Sequence, residues 1–126
     1  MKITTFNPMI LTPNPEETVK LFEAIGFEKH HAPTVDTGKS MVTSYRMKDA
    51  NGFYVDVAGV ESLTQDMTII RMNVDDFDEA FEYLTKMGFK RPDTAAKETV
   101  ETAKNKSAMM ISPTGFAFDL VQHIKE

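Results

Sequence analysis

An internal repeat constrains this chain more than any other feature. Residues 17–27 align with residues 79–89 at an offset of 62, and both segments end in Gly-Phe. Residues 52–57 align with residues 115–120 at an offset of 63. Because the two matches are nearly in register, they indicate a duplicated module of about 60 residues.

Each module carries the same helix signals: a capping residue, a glutamate three positions later, apolar periodicity and a terminal glycine. These signals predict helices over residues 15–25 and 77–87, with Asn14 and Asp76 as N-caps and a glycine after each last turn. The apolar faces comprise Val19, Leu21, Phe22 and Ile25 in the first helix and Ala80, Phe81, Tyr83, Leu84 and Met87 in the second.

The remaining residues of each module are predicted to form four strands. The predicted strands span residues 4–11, 27–33, 39–47 and 53–58 in the first module and 67–74, 89–94, 107–112 and 116–122 in the second. Residues 95–106 are compatible with a loop, a helical turn or the ends of two strands. The predicted class is α+β, with two tandem βαβββ modules, each a curved mixed β-sheet with one helix on its convex face. The two together form an open cup.

These modules are predicted to make one domain over residues 1–126, with the first module at about 4–58 and the second at about 66–123. A module of about 60 residues buries little core by itself, which favours fusion of the two.

Composition excludes several classes of protein. The absence of cysteine removes disulfides, thiolate nucleophiles and zinc fingers. With 14 Lys and Arg against 19 Asp and Glu, the net charge is −5, and no nucleic-acid partner is expected. No apolar run spans a membrane and no signal peptide is visible, so no membrane partner is expected and a cytoplasmic location is predicted.

Strand alternation predicts a polar and apolar surface on the sheet face that the helices leave bare. A concave face of this kind is the default site for a small organic ligand. The predicted ligand-binding residues are Asn7, Met9, Leu11, Tyr54, Asp56, Ile69, Arg71, Asn73, Asp119 and Val121.

Two βαβββ modules, with Gly-Phe after each helix and a carboxylate on each last strand, resemble the vicinal oxygen chelate superfamily. The resemblance covers residues 4–123 and implies a homodimer whose subunits complete each other's cups. In metalloenzymes of that family, each module supplies a ligand from its first strand, usually His, and one from its last strand, usually Glu. The matching positions here are Asn7, Ile69, Asp56 and Asp119.

This donor set departs from the family pattern, because asparagine is a weak ligand and isoleucine is none. No metal or other cofactor is expected, and Asp56 and Asp119 are the weak candidates if a divalent metal binds. The same two carboxylates are also candidates for a general base, for ligand anchors, or for ion pairs with Arg71 or Arg46. Arg71 itself is either a partner of Asp119 or a contact for an anionic ligand.

Other side chains leave alternatives open. The histidines, at positions 30, 31 and 123, either lie idle on exposed strands or face the cup. The methionines of the third strands fill the core or a dimer interface, or line the cup; they are Met41, Met47, Met109 and Met110.

Three functions remain open on the sequence alone. The first is a metal-free protein that binds a small molecule, as bleomycin-resistance proteins do. The alternative is a metal-dependent lyase, isomerase or dioxygenase with altered ligands, and any enzyme activity is of the glyoxalase-like kind. The third is a structural or regulatory dimer, which predicts a cup filled by its own side chains.

Overall fold

The computed structural model describes residues 1–31, 34–36, 41–92, 99–101 and 105–123. The chain divides into two compact units. The module 1 unit is Asn7–Thr68, and the module 2 unit is Ile69–Glu126 together with Met1–Phe6.

The module 1 unit is a mixed sheet with one helix. Its elements are β1 (Ile3–Thr12, which begins in the module 2 unit), α1 (Pro15–Ala24), β2 (Glu28–His31), β3 (Thr34–Asp36), β4 (Met41–Lys48) and β5 (Tyr54–Gly59). The strand order is β2–β4–β5–β1, and β3 also pairs with β4. β1 runs parallel to β5, whereas β4 is antiparallel to its neighbours.

The module 2 unit repeats this plan. Its elements are β6 (Met67–Val74), α2 (Phe77–Lys86), β7 (Val100–Glu101), β8 (Asn105–Ile111) and β9 (Ala117–His123). The order β6–β9–β8–β7 matches that of the first module, with β6 parallel to β9. The predicted α+β class and the two tandem modules are confirmed. Neither helix has the length or apolarity of a membrane span in the described part of the chain.

The two helices begin where the sequence predicts, but only one has the predicted cap. The Asp76 carboxylate accepts the Glu79 N–H at 3.0 Å. Asn14 makes no side-chain capping bond, because its ψ of 66° is far from extended and its own N–H donates to Thr12 Oγ1 at 3.0 Å. The predicted Asn14 cap is therefore wrong. The predicted terminal glycines, Gly26 and Gly88, have φ of 108° and 100°, a region that favours glycine.

The buried stripe of each helix is narrower than the predicted apolar face. In α1, Val19 is buried and Phe22 packs on the core, whereas Leu21 and Ile25 are each 70% exposed. Helix α2 follows the same rule, because Ala80, Phe81 and Leu84 pack on the sheet while Tyr83 and Met87 are exposed. The exposed pair in each helix is spaced i, i+4 and lies on a ridge beside the sheet contact.

Each unit buries an apolar cluster between its helix and its sheet. In module 1 this cluster is Val19, Met47, Val55 and Val57, and in module 2 it includes Met72, Leu84, Phe89, Met110 and Leu120. Phe53 and Phe116, the first residues of the predicted strands 53–58 and 116–122, do not belong to these buried clusters and are 67% and 49% exposed. Both residues precede the first residue of their strands.

Residues 89–106 differ most from the prediction. The described part of the predicted strand 89–94 forms one isolated bridge, between Lys90 and Ile111. Within 95–106, β7 pairs with the start of β8, so the described residues are the ends of two strands. Residues 95–98 and 102–104 lie outside the described part of the chain, as do residues 32–33, 39–40 and 93–94 of the predicted strands.

The first residues of the chain are fastened to the second module. The Lys2 N–H donates to Asp75 Oδ1 at 2.6 Å, and the Lys2 carbonyl accepts the Asp75 N–H at 3.0 Å. The Met1 ammonium pairs with the Glu79 carboxylate. This hydrogen bond raises the pKa of the Met1 ammonium. Nothing in the local sequence pattern of the first strand predicts these contacts.

Candidate functional site

The site in module 1 is built around the Asp56 carboxylate. Val55 and Val57 point into the α1 core, so Asp56, between them, points to the opposite face of β5. Its side chain has no exposed surface. A carboxylate removed from water in this way needs a counter-charge and hydrogen bonds.

Both needs are met within the module. The Asn7 Nδ2 donates to Asp56 Oδ2 at 2.6 Å. The Arg46 Nη1 lies 3.2 Å from Oδ2 and 3.5 Å from Oδ1. The ion pair between Asp56 and Arg46, one of the alternatives that the sequence left open, is therefore present.

The register of a hairpin places Arg46 opposite Asp56. The Asp49 N–H donates to the Phe53 carbonyl at 3.0 Å and closes the turn between β4 and β5. With the turn fixed, Arg46 and Asp56 become Cα partners. The sequence names Arg46 only as an ion-pair partner of the two aspartates. The turn at residues 49–52 is the signal that adds it to the site.

An aromatic ring holds the guanidinium in place. The Arg46 Cζ lies 4.3 Å from the centroid of the Tyr54 ring, and the Lys48 Nζ lies 5.5 Å from the same centroid. The His30 ring makes an edge contact to Tyr54 at 6.0 Å. We call Asn7, Arg46, Tyr54 and Asp56 the Arg46 cluster. This contact with Tyr54 restricts where the Arg46 guanidinium can lie.

One atom of the Arg46 cluster has an unmet hydrogen bond. The Asn7 side chain is 6% exposed, and its Oδ1 is buried without a partner among the described residues. The amide orientation is fixed, because a reversed amide would place Oδ1 against the Asp56 carboxylate. The unmet group is thus an acceptor.

Module 2 has a related but different arrangement. Arg71 on β6 and Asp119 on β9 are Cα partners across parallel strands. The Arg71 Nε donates to Asn73 Oδ1 at 3.0 Å. Arg71 and Asp119 each have a further interaction within the structure. Strand register thus places Arg71 beside Asp119.

Most of the predicted ligand-binding residues are buried rather than exposed on an open face of the sheet. Three of the ten predicted residues, Tyr54, Arg71 and Asp119, are half-buried. The other members are buried: Asn7, Met9, Leu11, Asp56, Ile69, Asn73 and Val121. The four apolar members, Met9, Leu11, Ile69 and Val121, are at most 8% exposed and so offer little surface to a ligand.

The described histidines are exposed, whereas the described methionines of the third strands are buried or half-buried. His30 is exposed beside Tyr54, and the exposed His123 contacts Asn105 through Nδ1. Met47 and Met110 are core residues, and Met109 is half-buried. The side chains of His31 and Met41 lie outside the described part of the structure.

Comparison with known proteins gives the fold. No protein-family model matches the sequence, and no curated protein matches it. Among solved structures, a methylmalonyl-CoA epimerase superposes with a TM-score of 0.64 at 18% identity, covering 94% of each chain. The methylmalonyl-CoA epimerase of Mycobacterium tuberculosis gives 0.65 at 10% identity, covering 98% of this chain and 90% of that one.

A glyoxalase/bleomycin resistance protein/dioxygenase superfamily member from Vibrio splendidus 12B01 gives a TM-score of 0.58 at 17% identity. That match covers 98% of this chain and 100% of the other. This chain has the vicinal oxygen chelate fold. At these identities the likeness extends to the fold and not to the chemistry.

The residues at the positions that bind a metal in metalloenzymes of this fold can be compared with what a divalent metal needs. Asn7 and Asp56 lie within hydrogen-bond distance of each other, as two ligands of one ion would. Here, however, the amide nitrogen faces the carboxylate and Arg46 supplies the positive charge. Ile69 has no donor atom, and the described residues contain no group of three His, Cys, Asp or Glu side chains able to hold a metal. The residues present do not fit the divalent metal of this fold.

Proposed function

We propose that this chain binds a small organic molecule without a resident metal, in the manner of bleomycin-resistance proteins. The observation that carries the proposal is the ion pair between Arg46 and the buried Asp56, at a position where a metalloenzyme of this fold has a ligand. A molecule with such a site recognises ligands through hydrogen bonds, charge and shape.

The physical reason is competition for one carboxylate. The Arg46 Nη1 and the Asn7 Nδ2 both donate to Asp56 Oδ2, at 3.2 and 2.6 Å. A divalent cation on the same oxygen would stand beside a fixed guanidinium charge, and the two cations would repel each other strongly away from water. For the ion to take this oxygen, Arg46 would have to give up its ion pair with Asp56 and its contact with the Tyr54 ring.

The second module supports the proposal independently. Asp119 has Arg71 as its Cα partner, so an arginine also stands beside the second carboxylate that could act as a ligand. Both modules therefore place an arginine where a metal site needs neutral or anionic donors.

The homodimer belongs to the same proposal. In the resembling family, bare sheet faces of two subunits close around one ligand. A symmetric dimer of this chain would likewise use both modules of each subunit. A cytoplasmic location is proposed with it, on the ground of composition.

A metal assay and a ligand screen test the proposal together. Purified protein is analysed for zinc, nickel, manganese and iron. It is then screened by thermal unfolding against organic acids, amines, sugars and aromatic compounds at fixed protein concentration. A ligand at 100 times its Kd stabilises the folded state by about 2.7 kcal/mol, which gives a clear rise in melting temperature. Sub-stoichiometric metal together with a stabilising ligand is the expected result.

Two results would overturn the proposal. Stoichiometric metal that survives dialysis would favour the alternative of a metal-dependent lyase, isomerase or dioxygenase. A monomeric mass in sedimentation at micromolar concentration would contradict the proposed homodimer.

A structural or regulatory dimer is a second candidate, because seven of the ten predicted ligand-binding residues are buried. It predicts no stabilising ligand in the whole screen, so the same experiment separates it from the first.

A further inference from the structure

The Arg46 guanidinium is only partly used within the described structure. It donates to Asp56 from Nη1, and the described residues provide no acceptor for its Nε and Nη2. The side chain is 16% exposed, so part of it can be reached from outside. The Tyr54 ring lies against the guanidinium and limits how far these donors can move.

The charge around Tyr54 favours an anion. Arg46 and Lys48 both lie over the Tyr54 ring, at 4.3 and 5.5 Å from its centroid, and Asp56 offsets one of the two positive charges. Glu28 is the cross-strand partner of Lys48, but it is exposed and forms no ion pair with Lys48 in the described structure. A carboxylate bound beside Arg46 would therefore lie in a region of net positive charge.

The buried Asn7 Oδ1 is a hydrogen-bond acceptor that can accept from a group on a ligand. Its amide nitrogen is engaged by Asp56, and the oxygen has no partner among the described residues. Asn7 Nδ2 and Arg46 Nη1 contact the same Asp56 oxygen. The other end of the Asn7 amide, Oδ1, and the remaining N–H groups of Arg46 therefore lie on the two sides of the Asp56 carboxylate. A ligand that spans them needs an acceptor and a donor separated by a short spacer.

We propose that the Arg46 cluster recognises a small carboxylate that also carries a hydroxyl group. The carboxylate binds the free N–H groups of Arg46, and the hydroxyl donates to Asn7 Oδ1. The ligand enters beside Arg46 and Tyr54, the partly exposed members of the cluster. This inference rests on the proposed function and names its ligand class.

The first test compares three ligands that differ by one group each. 3-Hydroxybutyrate, butyrate and 3-hydroxybutyramide are titrated into the full-length 15N-labelled chain, and amide shifts are followed by NMR. A millimolar Kd is expected for 3-hydroxybutyrate, because so few atoms limit affinity. Butyrate is expected to bind about 3–10-fold more weakly, since it leaves Asn7 Oδ1 unpaired. The uncharged amide is expected to bind at least about tenfold more weakly.

The second test uses substitutions that keep the buried charge balanced. Arg46→Lys retains the ion pair to Asp56 but loses the planar fork, and it is expected to weaken 3-hydroxybutyrate binding about tenfold. Tyr54→Leu removes the ring beneath the guanidinium and provides a second variant if Arg46→Lys folds poorly. Lys86→Gln removes one positive charge from the exposed pair with Glu82 on α2 and is expected to leave binding unchanged.

Three outcomes would overturn the inference. These are equal affinity for butyrate and 3-hydroxybutyrate, unchanged binding by folded Arg46→Lys, and no shifts near β5 at about 50 mM ligand, a limit far above the expected Kd. Stabilisation by other organic ligands in the wider screen would leave the proposed function standing while this inference fails. Stoichiometric bound metal would instead remove the proposed function itself.

Discussion

Replacing Arg46 with methionine is the substitution whose cost the structure defines best. Asp56 has no exposed surface, and Arg46 is its cationic partner in the described structure. Removing the guanidinium takes this cationic partner away from a buried carboxylate, which typically costs about 3–5 kcal/mol. For a chain of this length the melting temperature should fall by roughly 10–20 °C.

The reverse substitution should cost less. Asp56→Asn leaves the Arg46 charge unpaired, but that side chain is 16% exposed and can turn toward water. The expected loss is about 1.5–3 kcal/mol, the range for a hydrogen bond to a charged group. The double variant Arg46→Met with Asp56→Leu removes both charges. It should return to within about 1 kcal/mol of the parent or exceed it, as replaced buried ion pairs often do.

Urea unfolding at one fixed protein concentration measures all four proteins, because dimer formation would otherwise shift the apparent stability. Lys86→Gln is the matched control, since its pair with Glu82 is exposed on both sides and should contribute less than about 0.5 kcal/mol. The reasoning is refuted if Arg46→Met costs no more than Asp56→Asn, or if the double variant is as unstable as Arg46→Met.

Three further predictions compare equivalent positions or test a charge. Asp76→Ala should cost about 0.5–2 kcal/mol in urea unfolding, whereas Asn14→Ala should cost less than about 0.5 kcal/mol, because only Asp76 makes a side-chain cap. Gly26→Ala should cost about 1–2 kcal/mol for its positive φ. Gly88→Ala should cost more, since its Cβ would also meet a proline ring at 3.0 Å; equal costs would contradict this. The pKa of the Lys106 ammonium should lie above its usual range, chiefly because it donates a hydrogen bond to a carboxylate of α2. The contribution of this hydrogen bond to folding stability should be complete below the pKa of an unfolded lysine. It should disappear as pH rises through the pKa of Lys106 in the folded state, which an NMR titration of the Nζ group can follow.

The sequence is sufficient for most of the fold because the repeat tests each assignment twice. Both helices and the last strand of each module follow from signals that recur at an offset of 62 or 63. The errors have local causes. Leu21 and Ile25 look like core residues by periodicity, but the sheet covers only the ridge that carries Val19. Phe53 fits the strand alternation, but the turn at residues 49–52 extends the loop past it.

The candidate site is harder to predict because it depends on register. Alternation alone places Asp56 opposite the helix, and counting back from Gly-Phe identifies Asn7. Their contact with Arg46 requires knowing which residue of β4 faces Asp56, which the hairpin turn determines. The missing partner of Asn7 Oδ1 is a property of one atom's surroundings, and no pattern in the sequence encodes it.

The register of the two sheets explains how a duplicated module acquired two different polar centres. Asp56 has Met9 on its parallel neighbour and Arg46 on its antiparallel neighbour. Asp119 has the reverse order, with arginine on the parallel strand and methionine on the antiparallel one.

Each carboxylate is thus flanked by one arginine and one methionine, with their sides exchanged. If both modules had kept a metal-binding geometry, equivalent strands would have to supply equivalent donors. Local charge compensation imposes no such symmetry, because an arginine on either neighbouring strand reaches the same aspartate. The exchanged order is therefore what two modules would show if each had balanced its own last-strand carboxylate separately.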